Sequence, residues 1–520
     1  MTMKLLSVSY LNHDSGISFL DNGNLLKTIL TERITRKKHD GSIVKEIILD
    51  QIEKTNTNNI NLSIFNEVFS SHSYSNLIKS LDKDIEISIN YKDHHLCHAF
   101  CGFYTSSFDD ALCIVIDGNG SSLNSGDSII CEIESVYTFK NGKFEDTVHK
   151  RYCDSKLFGE IDKLINLDIL DEVFNDKVTK ELGVGLVYER SCNSIGMSFV
   201  DCGKLMGLSQ YYNYKDKLPD GYNNQEWKDK VDIAHKTQKY TEDQILKFVK
   251  KYVDQTGIKN VVLSGGVFLN CASNYNLIKN IDDINIHVDP MCSDNGISIG
   301  RSLVSYYEKT EKIPNRVSNP YLGLSQESYP IKNCGFDYKE NVSYGDVIDI
   351  ILGGNVVGLF QGQSEVGQRS LGNRSLLFDP RIKDGKTIVN RIKRRENYRP
   401  FAASVLLEYV NEWFDMKSLK ESPYMSFAVD AKENAIQQVP SVIHVNNTCR
   451  IQTVNKKQNL HFYNLIKEFY NKTKVPMLLN TSFNLAGEPL VEIFNDVIHV
   501  MNNSELRYVY FPEVKTLVFK

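Results

Sequence analysis

The chain has 520 residues, 41% hydrophobic and 24% charged, with Lys+Arg 60 against Asp+Glu 65 and a net charge of -5. That length exceeds one compact core and predicts two to four domains. The slight acidity excludes a general pull toward nucleic acid or an anionic membrane, so any basic site must be local.

The opening MTMKLLSVSYLNHDSG carries an apolar run too short for a secretory signal or a membrane span. Up to about residue 313 the pattern is α/β. Short apolar runs (Leu5 to Leu11, Ala111 to Asp117, Asn260 to Gly266) end in Gly, Asp or Asn, as buried strands entering ligand-facing loops do. Stretches such as TEDQILKFVKKYVDQTG place apolar residues at helical spacing before a Gly stop. Residues 122–190 lack clear periodicity and are expected to be surface excursions; the sequence assigns them no role. Pro314 to Ser328 turns to Pro, Asn, Gly and Ser, the composition of an inter-domain linker. Beyond it a new unit includes the strand Asn355 to Phe360. The 11 cysteines are odd in number and never spaced C-x-x-C, which predicts reduced thiols in the cytoplasm.

Five constellations carry chemistry. His94 and His98 stand four apart, so on a helix both imidazoles can reach one ion, although a plain histidine cluster has the same spacing. Asp117 follows an apolar strand and precedes Gly118 and Gly120, in a turn that permits close approach of phosphate or metal. Asp294 precedes Asn-Gly at a helix entrance, where it could equally cap. Gly265 and Gly266 follow a strand and admit a nucleotide. The fifth is residues 365–399, with seven Arg and three Lys against four acids. This stretch is +6 in a chain that is otherwise -11. The bias to Arg, the interleaved Gly and the abrupt localisation suit a phosphate site better than a solvated face. Single-stranded nucleic acid would also ask for aromatic platforms, and the stretch offers little beyond Tyr398.

Read in order, these motifs resemble the NodU/CmcH-type O-carbamoyltransferases. The matching residues are HDSG (His13 to Gly16), ERITRKKHD (Glu32 to Asp40), HHLCHA, DGNG, GKLMGL (Gly203 to Leu208), SGGVFLN and DNGISIG. Further on come GQRSLGNRS, KRRENYRPF (Lys393 to Phe401), HVNNTCR (His444 to Arg450) and NTSFN (Asn480 to Asn484). The chain departs from the family's HVDGTAR, RPFAPS and GPRALG at HVNNTCR, Ala403 and Gln368/Ser370, and has Ser121 and Ser122 after DGNG.

The resemblance implies an α/β protein of two parts. Residues 1–318 would form an acetate/sugar-kinase and actin-like ATPase (TsaD-like) transfer domain, and residues 319–520 a YrdC-like domain that makes carbamoyladenylate. It implies ATP and carbamoyl phosphate as co-substrates, Mg with the ATP, and a divalent Fe(II)-like metal in the transfer domain. The metal set would be His94, His98, Asp117 and Asp294, with His13, Lys38 and His39 catalytic. Adenylate would contact Gly118, Gly120, Gly203, Lys204, Gly265, Gly266 and Asn270. Carbamoyl phosphate and ATP would contact Arg369, Arg374, Lys393, Arg395, Arg399, Arg450, Asn480 and Ser482. The expected acceptor is a small-molecule hydroxyl on a sugar, glycan or natural product, with neither nucleic acid nor membrane as partner. An amine acceptor and a tRNA threonylcarbamoyl-type reaction are the alternatives.

Overall fold

The computed structural model describes all residues except 1–2, 11–12, 43–45, 49–59, 67–85, 91, 126–127, 157–177, 180–181 and 327. Three sheets organise the chain. The first contains β1 (Lys4–Tyr10), β2 (Gly16–Asp21), β3 (Asn24–Leu30), β4 (Ile60–Asn66) and β5 (Glu86–Asn90), in the order β3-β2-β1-β4-β5. β2 pairs antiparallel with both β1 and β3, whereas β4 runs parallel to β1 and β5.

The second sheet repeats this plan. It contains β6 (Ala111–Ile116), β7 (Ser122–Ser125), β8 (Ser128–Lys140), β9 (Lys143–Asp154), β10 (Val178–Thr179), β11 (Asn260–Ser264) and β12 (Asn285–Val288). Its central order is β9-β8-β6-β11-β12, with β8 antiparallel to both neighbours and β11 parallel to β6 and β12. The doubled topology is that of an acetate/sugar-kinase and actin-like unit, the architecture expected for the N-terminal part. No sequence repeat announced it.

β6 is buried at all six positions, as its uninterrupted apolar run requires. The segment after it corrects the expectation for 122–190. Residues 128–154 are a long hairpin inside the second sheet, not a surface excursion. The hairpin buries Glu132, Glu134 and Arg151 beside Ile133, Tyr137 and Phe139, and this inward polarity hides the strand alternation. Arg151 satisfies Glu134 through two hydrogen bonds of 2.9 and 2.7 Å. The stretch 157–177 lies outside the described residues.

The helix His94–Thr105 is buried on nearly every face. It packs on β11 through Gly102, where a Cβ would meet Val262 Cγ1 at 2.8 Å, and on the helix Ile297–Thr310, where a Cβ at Gly300 would meet the Cys97 carbonyl oxygen at 2.0 Å. The helix read around TEDQ begins earlier than its periodicity suggested, at Gln225, capped by the Asn224 side chain, and ends at Gly257 with φ 71°.

Residues 314–326 are held to both parts: Asn315 N–H donates to Gly23 O, Val317 N–H to Tyr104 O and Leu322 O accepts from Thr28 N–H, while Gly323 N–H donates to Ser364 O and Leu324 N–H to Glu492. The third sheet has ten strands between Asp337 and Phe519. Its central members are Val357–Phe360, Arg374–Phe378, Met477–Ser482, Ala402–Leu406 and Thr448–Val454. One apolar cluster runs from Leu112 and Ile114 of β6 into Leu359, Leu376 and Leu479 of this sheet, so the two parts share a core. Asn274 and Tyr275 donate across to the Ser426 and Asp415 carbonyls. Arg36 reaches back to the Leu490 and Pro489 carbonyls and to Asp496.

Candidate functional site

The loops after β1, β6, β11 and β12 open on one cleft, and each delivers a residue to it. From the helix side, His94 and His98 project one turn apart, their Nε2 atoms 3.1 Å from each other. Asp117 Oδ2 stands 3.3 Å from His94 Nε2 and 3.0 Å from His98 Nε2, and Asp294 Oδ1 lies 3.5 Å from both. The four donor atoms fall within 4.8 Å of one another. Both imidazoles are fully buried and both carboxylates nearly so.

Asp117 is oriented by backbone: its Oδ1 accepts from the Gly118 and Gly266 amides at 2.8 and 3.2 Å, which leaves Oδ2 for the histidines. Burial pushes its carboxyl up, but the hydrogen bonds and charges of His94 and His98 outweigh burial and hold it well below the usual carboxylate range. Asp294 is likewise held down against burial by His94, His98 and His13. Behind His98, Ser264 Oγ stands 3.5 Å from Nδ1 and donates to Asp289 at 2.8 Å, an outer layer that fixes the ring. Two imidazole nitrogens and two carboxylate oxygens converging on one point fit a divalent first-row metal.

His13 flanks this cluster, half-exposed, with Nδ1 3.0 Å from Asp14 Oδ2 and 3.6 Å from Asp294 Oδ2. Burial pulls its pKa down, but Asp14, Asp294 and Asp117 lift it to about 10. Asp14, unremarked in the sequence beyond its place in HDSG, holds both active-cleft histidines: His39 Nδ1 approaches its two oxygens at 3.0 and 3.1 Å. Asp14 and His39 both sit at left-handed backbone angles, φ 57° and 58°, local strain of the kind concentrated at working sites. Lys38 is exposed and lies in the charge field of Glu32 and Arg399.

The second cluster is cationic. Arg369, Arg399 and Arg450 repel one another, and burial followed by Arg369 brings Arg450 down to about 9, with its Nε unpaired. Arg450 borders a small, largely apolar pocket of about 50 Å³ lined also by Met206, Gly207, Cys271, Phe401 and His444. Lys393 is buried with only Ser482 and Asn484 oxygens around Nζ, and burial together with Arg395, Arg399 and Lys38 pushes its pKa well down. Arg395 lies over Phe401 and bonds to Asn390 and the Pro400 carbonyl. Such a group of under-neutralised cations would suit an anionic ligand.

Several residues expected to contact ligands have partners within the protein. Arg374 is fully buried and donates to the carbonyls of Gln361, Asn373, Gly362 and Glu492, with its plane 3.7 Å from the Phe360 ring, so it is a structural residue. Asn480 is buried and spent on Ser370, Ser404 and Gln452. Asn270 caps the helix Cys271–Asn280 and pairs with Gln238. Lys204 bridges Asp201 and Glu396 at 3.0 and 2.9 Å. Gly120 donates to the Glu132 carbonyl, and a Cβ there would strike His95. Gly203 meets nothing that requires a glycine. Gly265, at φ 97°, is required by the turn itself. Glu189, in the helix Val184–Ser194, escaped sequence reasoning: a Cβ at Gly118 would stand 2.3 Å from its Oε1. Burial and the charges of Asp117 and Asp294 push its carboxyl up to about 7.

Among the described residues no helix is long and apolar enough to cross a membrane. The family described as Carbamoyltransferase N-terminus matches residues 4–77 and 219–303, and Carbamoyltransferase C-terminus matches residues 348–517. Nodulation protein NolNO of Sinorhizobium fredii is 27% identical over 95% of this chain and 77% of its own length. The 3'-hydroxymethylcephem-O-carbamoyltransferase of Amycolatopsis lactamdurans is 29% identical over 45% of this chain and 44% of its own. Full-length HypF in a phosphate- and nucleotide-bound form superposes at a TM-score of 0.39 and 15% identity, covering 59% of this chain and 56% of that one. With both family halves matched in order along the chain, this protein belongs to the NodU/CmcH-type carbamoyltransferase family and is a transferase.

Proposed function

We propose that the protein is an ATP-dependent O-carbamoyltransferase working at two places. In the C-terminal, YrdC-like part, carbamoyl phosphate, water and Mg-bound ATP give carbamoyladenylate, phosphate and pyrophosphate. Arg369, Lys393, Arg395, Arg399 and Arg450 hold the anionic groups there and stabilise the charge that develops on them. In the N-terminal cleft the oxygen of a small-molecule hydroxyl attacks the carbamoyl carbon. The bond from that carbon to the adenylate oxygen breaks, and AMP leaves. The hydroxyl proton goes to the His13 ring nitrogen that does not face Asp14, and Asp14 steadies the imidazolium. His94, His98, Asp117 and Asp294 would hold a divalent, Fe(II)-like metal, whose contribution is Lewis-acid polarisation of a bound oxygen. A cation there would offset the charges of Asp117 and Asp294, two of the three carboxylates that raise the His13 pKa, and leave Asp14 as the one that holds the ring.

The observation that supports this reading is the division of charge: four metal-type donors beside His13 in one cleft, and a separate group of cations in which Arg369 and Arg399 repel Arg450. The test is to separate the half-reactions. His13→Ala is expected to lose carbamoylation across a panel of sugars and amino sugars, read by mass spectrometry, while carbamoyl-phosphate-dependent pyrophosphate release continues. Arg450→Ala is expected to lose the release itself. Equal loss of both half-reactions in His13→Ala contradicts the two-site scheme.

A further inference from the structure

Glu189 has no hydrogen bond or ion pair among the described residues, although it is largely covered and points at the turn that carries Asp117. Asp117 and Asp294 face it with like charge and His13 and Arg190 with opposite charge, yet none of these side chains makes a hydrogen bond to it among the described residues. Beyond it on the open side of the cleft, the turn Phe199–Asp201 presents Phe199 and Val200 to solvent at 46% and 37% exposure. The Phe199 ring centroid lies 6.3 Å from that of His13, tilted by 52°. An aromatic face held at the rim, beside the proton acceptor and next to an unpaired carboxyl, needs a ligand with an apolar face and hydrogen-bond donors.

We propose that Glu189 and Phe199 form the acceptor subsite, and that it takes a hydroxylated ring. The C–H face of the ring lies on Phe199, and two adjacent hydroxyls donate to the Glu189 carboxylate. This rests on the function proposed above, because it places the attacking hydroxyl beside His13.

The test is direct binding of methyl α-D-glucopyranoside to the full chain by saturation-transfer NMR, with cyclohexanol as a ring bearing a single hydroxyl. The glucoside is expected to bind saturably and more tightly than cyclohexanol. Phe199→Ala and Phe199→Leu are each expected to weaken it roughly five- to tenfold, and Phe199→Trp to restore it. Glu189→Gln is expected to bring glucoside affinity down to that of cyclohexanol. Absence of saturable glucoside binding, or wild-type affinity in Phe199→Leu, overturns the subsite. Pyrophosphate release by the unsubstituted protein, measured on the same preparation, keeps the two ideas apart. Release without glucoside binding removes the subsite and leaves the function standing; binding without release does the reverse.

Discussion

Arg374 donates to four backbone carbonyls and is fully buried, whereas Arg399 has Glu396 at 3.4 Å and repels Arg450. The same side chain therefore does two different jobs, and substitution should separate them. Arg374→Ala leaves several buried carbonyls without donors and is expected to destabilise the fold by roughly 3–5 kcal/mol, read by urea unfolding. Arg399→Ala is expected to change stability by less than about 1 kcal/mol while lowering carbamoyl-phosphate-dependent turnover roughly 10²-fold. A stable Arg374→Ala protein with a selective loss of phosphate binding contradicts this assignment. The sequence could not tell these arginines apart, because both belong to the same basic stretch and only the fold decides which one meets carbonyls. Asp14 and Glu189 were invisible for a related reason: each matters through groups far away in the chain.

At the scale of elements, the metal-type cluster depends on how two helices cross. Gly300 allows the helix Ile297–Thr310 to lie against the Cys97 carbonyl, and Asp294 enters the site from the turn that starts this helix. Gly300→Ala forces the helices apart. The expected cost is about 1–3 kcal/mol in stability, together with a roughly tenfold loss of Fe(II) or Co(II) affinity as Asp294 moves from His94 and His98. Metal affinity equal to wild type despite the stability loss would show that the crossing does not set the site. The paired histidines were legible because i, i+4 spacing survives in any helix, and the strand ends at Asp117 and Gly265 because apolar runs stop there. The hairpin 128–154 was not, since Glu132, Glu134, Ser135 and Arg151 point inward and erase the alternation that marks a half-buried strand. The repeated sheet plan was equally hidden, because topology is conserved by pairing order rather than by residue type.

Across the whole molecule, buried histidines make stability depend on pH. His444 lies between the two parts, and burial and then Lys386 push it down from 6.5 to about 3. Between those values the unfolded chain holds a proton that the folded chain refuses. Its contribution is therefore fully present above about pH 6.5 and is lost as pH falls, at roughly 1.4 kcal/mol per unit. His149, pushed down to about 4 chiefly by burial, acts in the same direction. Urea unfolding at pH 7, 6 and 5 is expected to show falling stability, with a shallower slope in His444→Gln; an unchanged slope in that variant contradicts the assignment.

The shared core and the ion pair from Lys204 to Glu396 hold the two sites in one body, as the proposed passage of an adenylate between them requires. The most direct measurement is pyrophosphate release from ATP with and without carbamoyl phosphate, in the absence of any acceptor and with Mg²⁺ and Fe²⁺ supplied. Release that depends on carbamoyl phosphate is the expected result. Release that ignores carbamoyl phosphate, or none at all from a folded protein, would contradict adenylate formation at the cationic cluster.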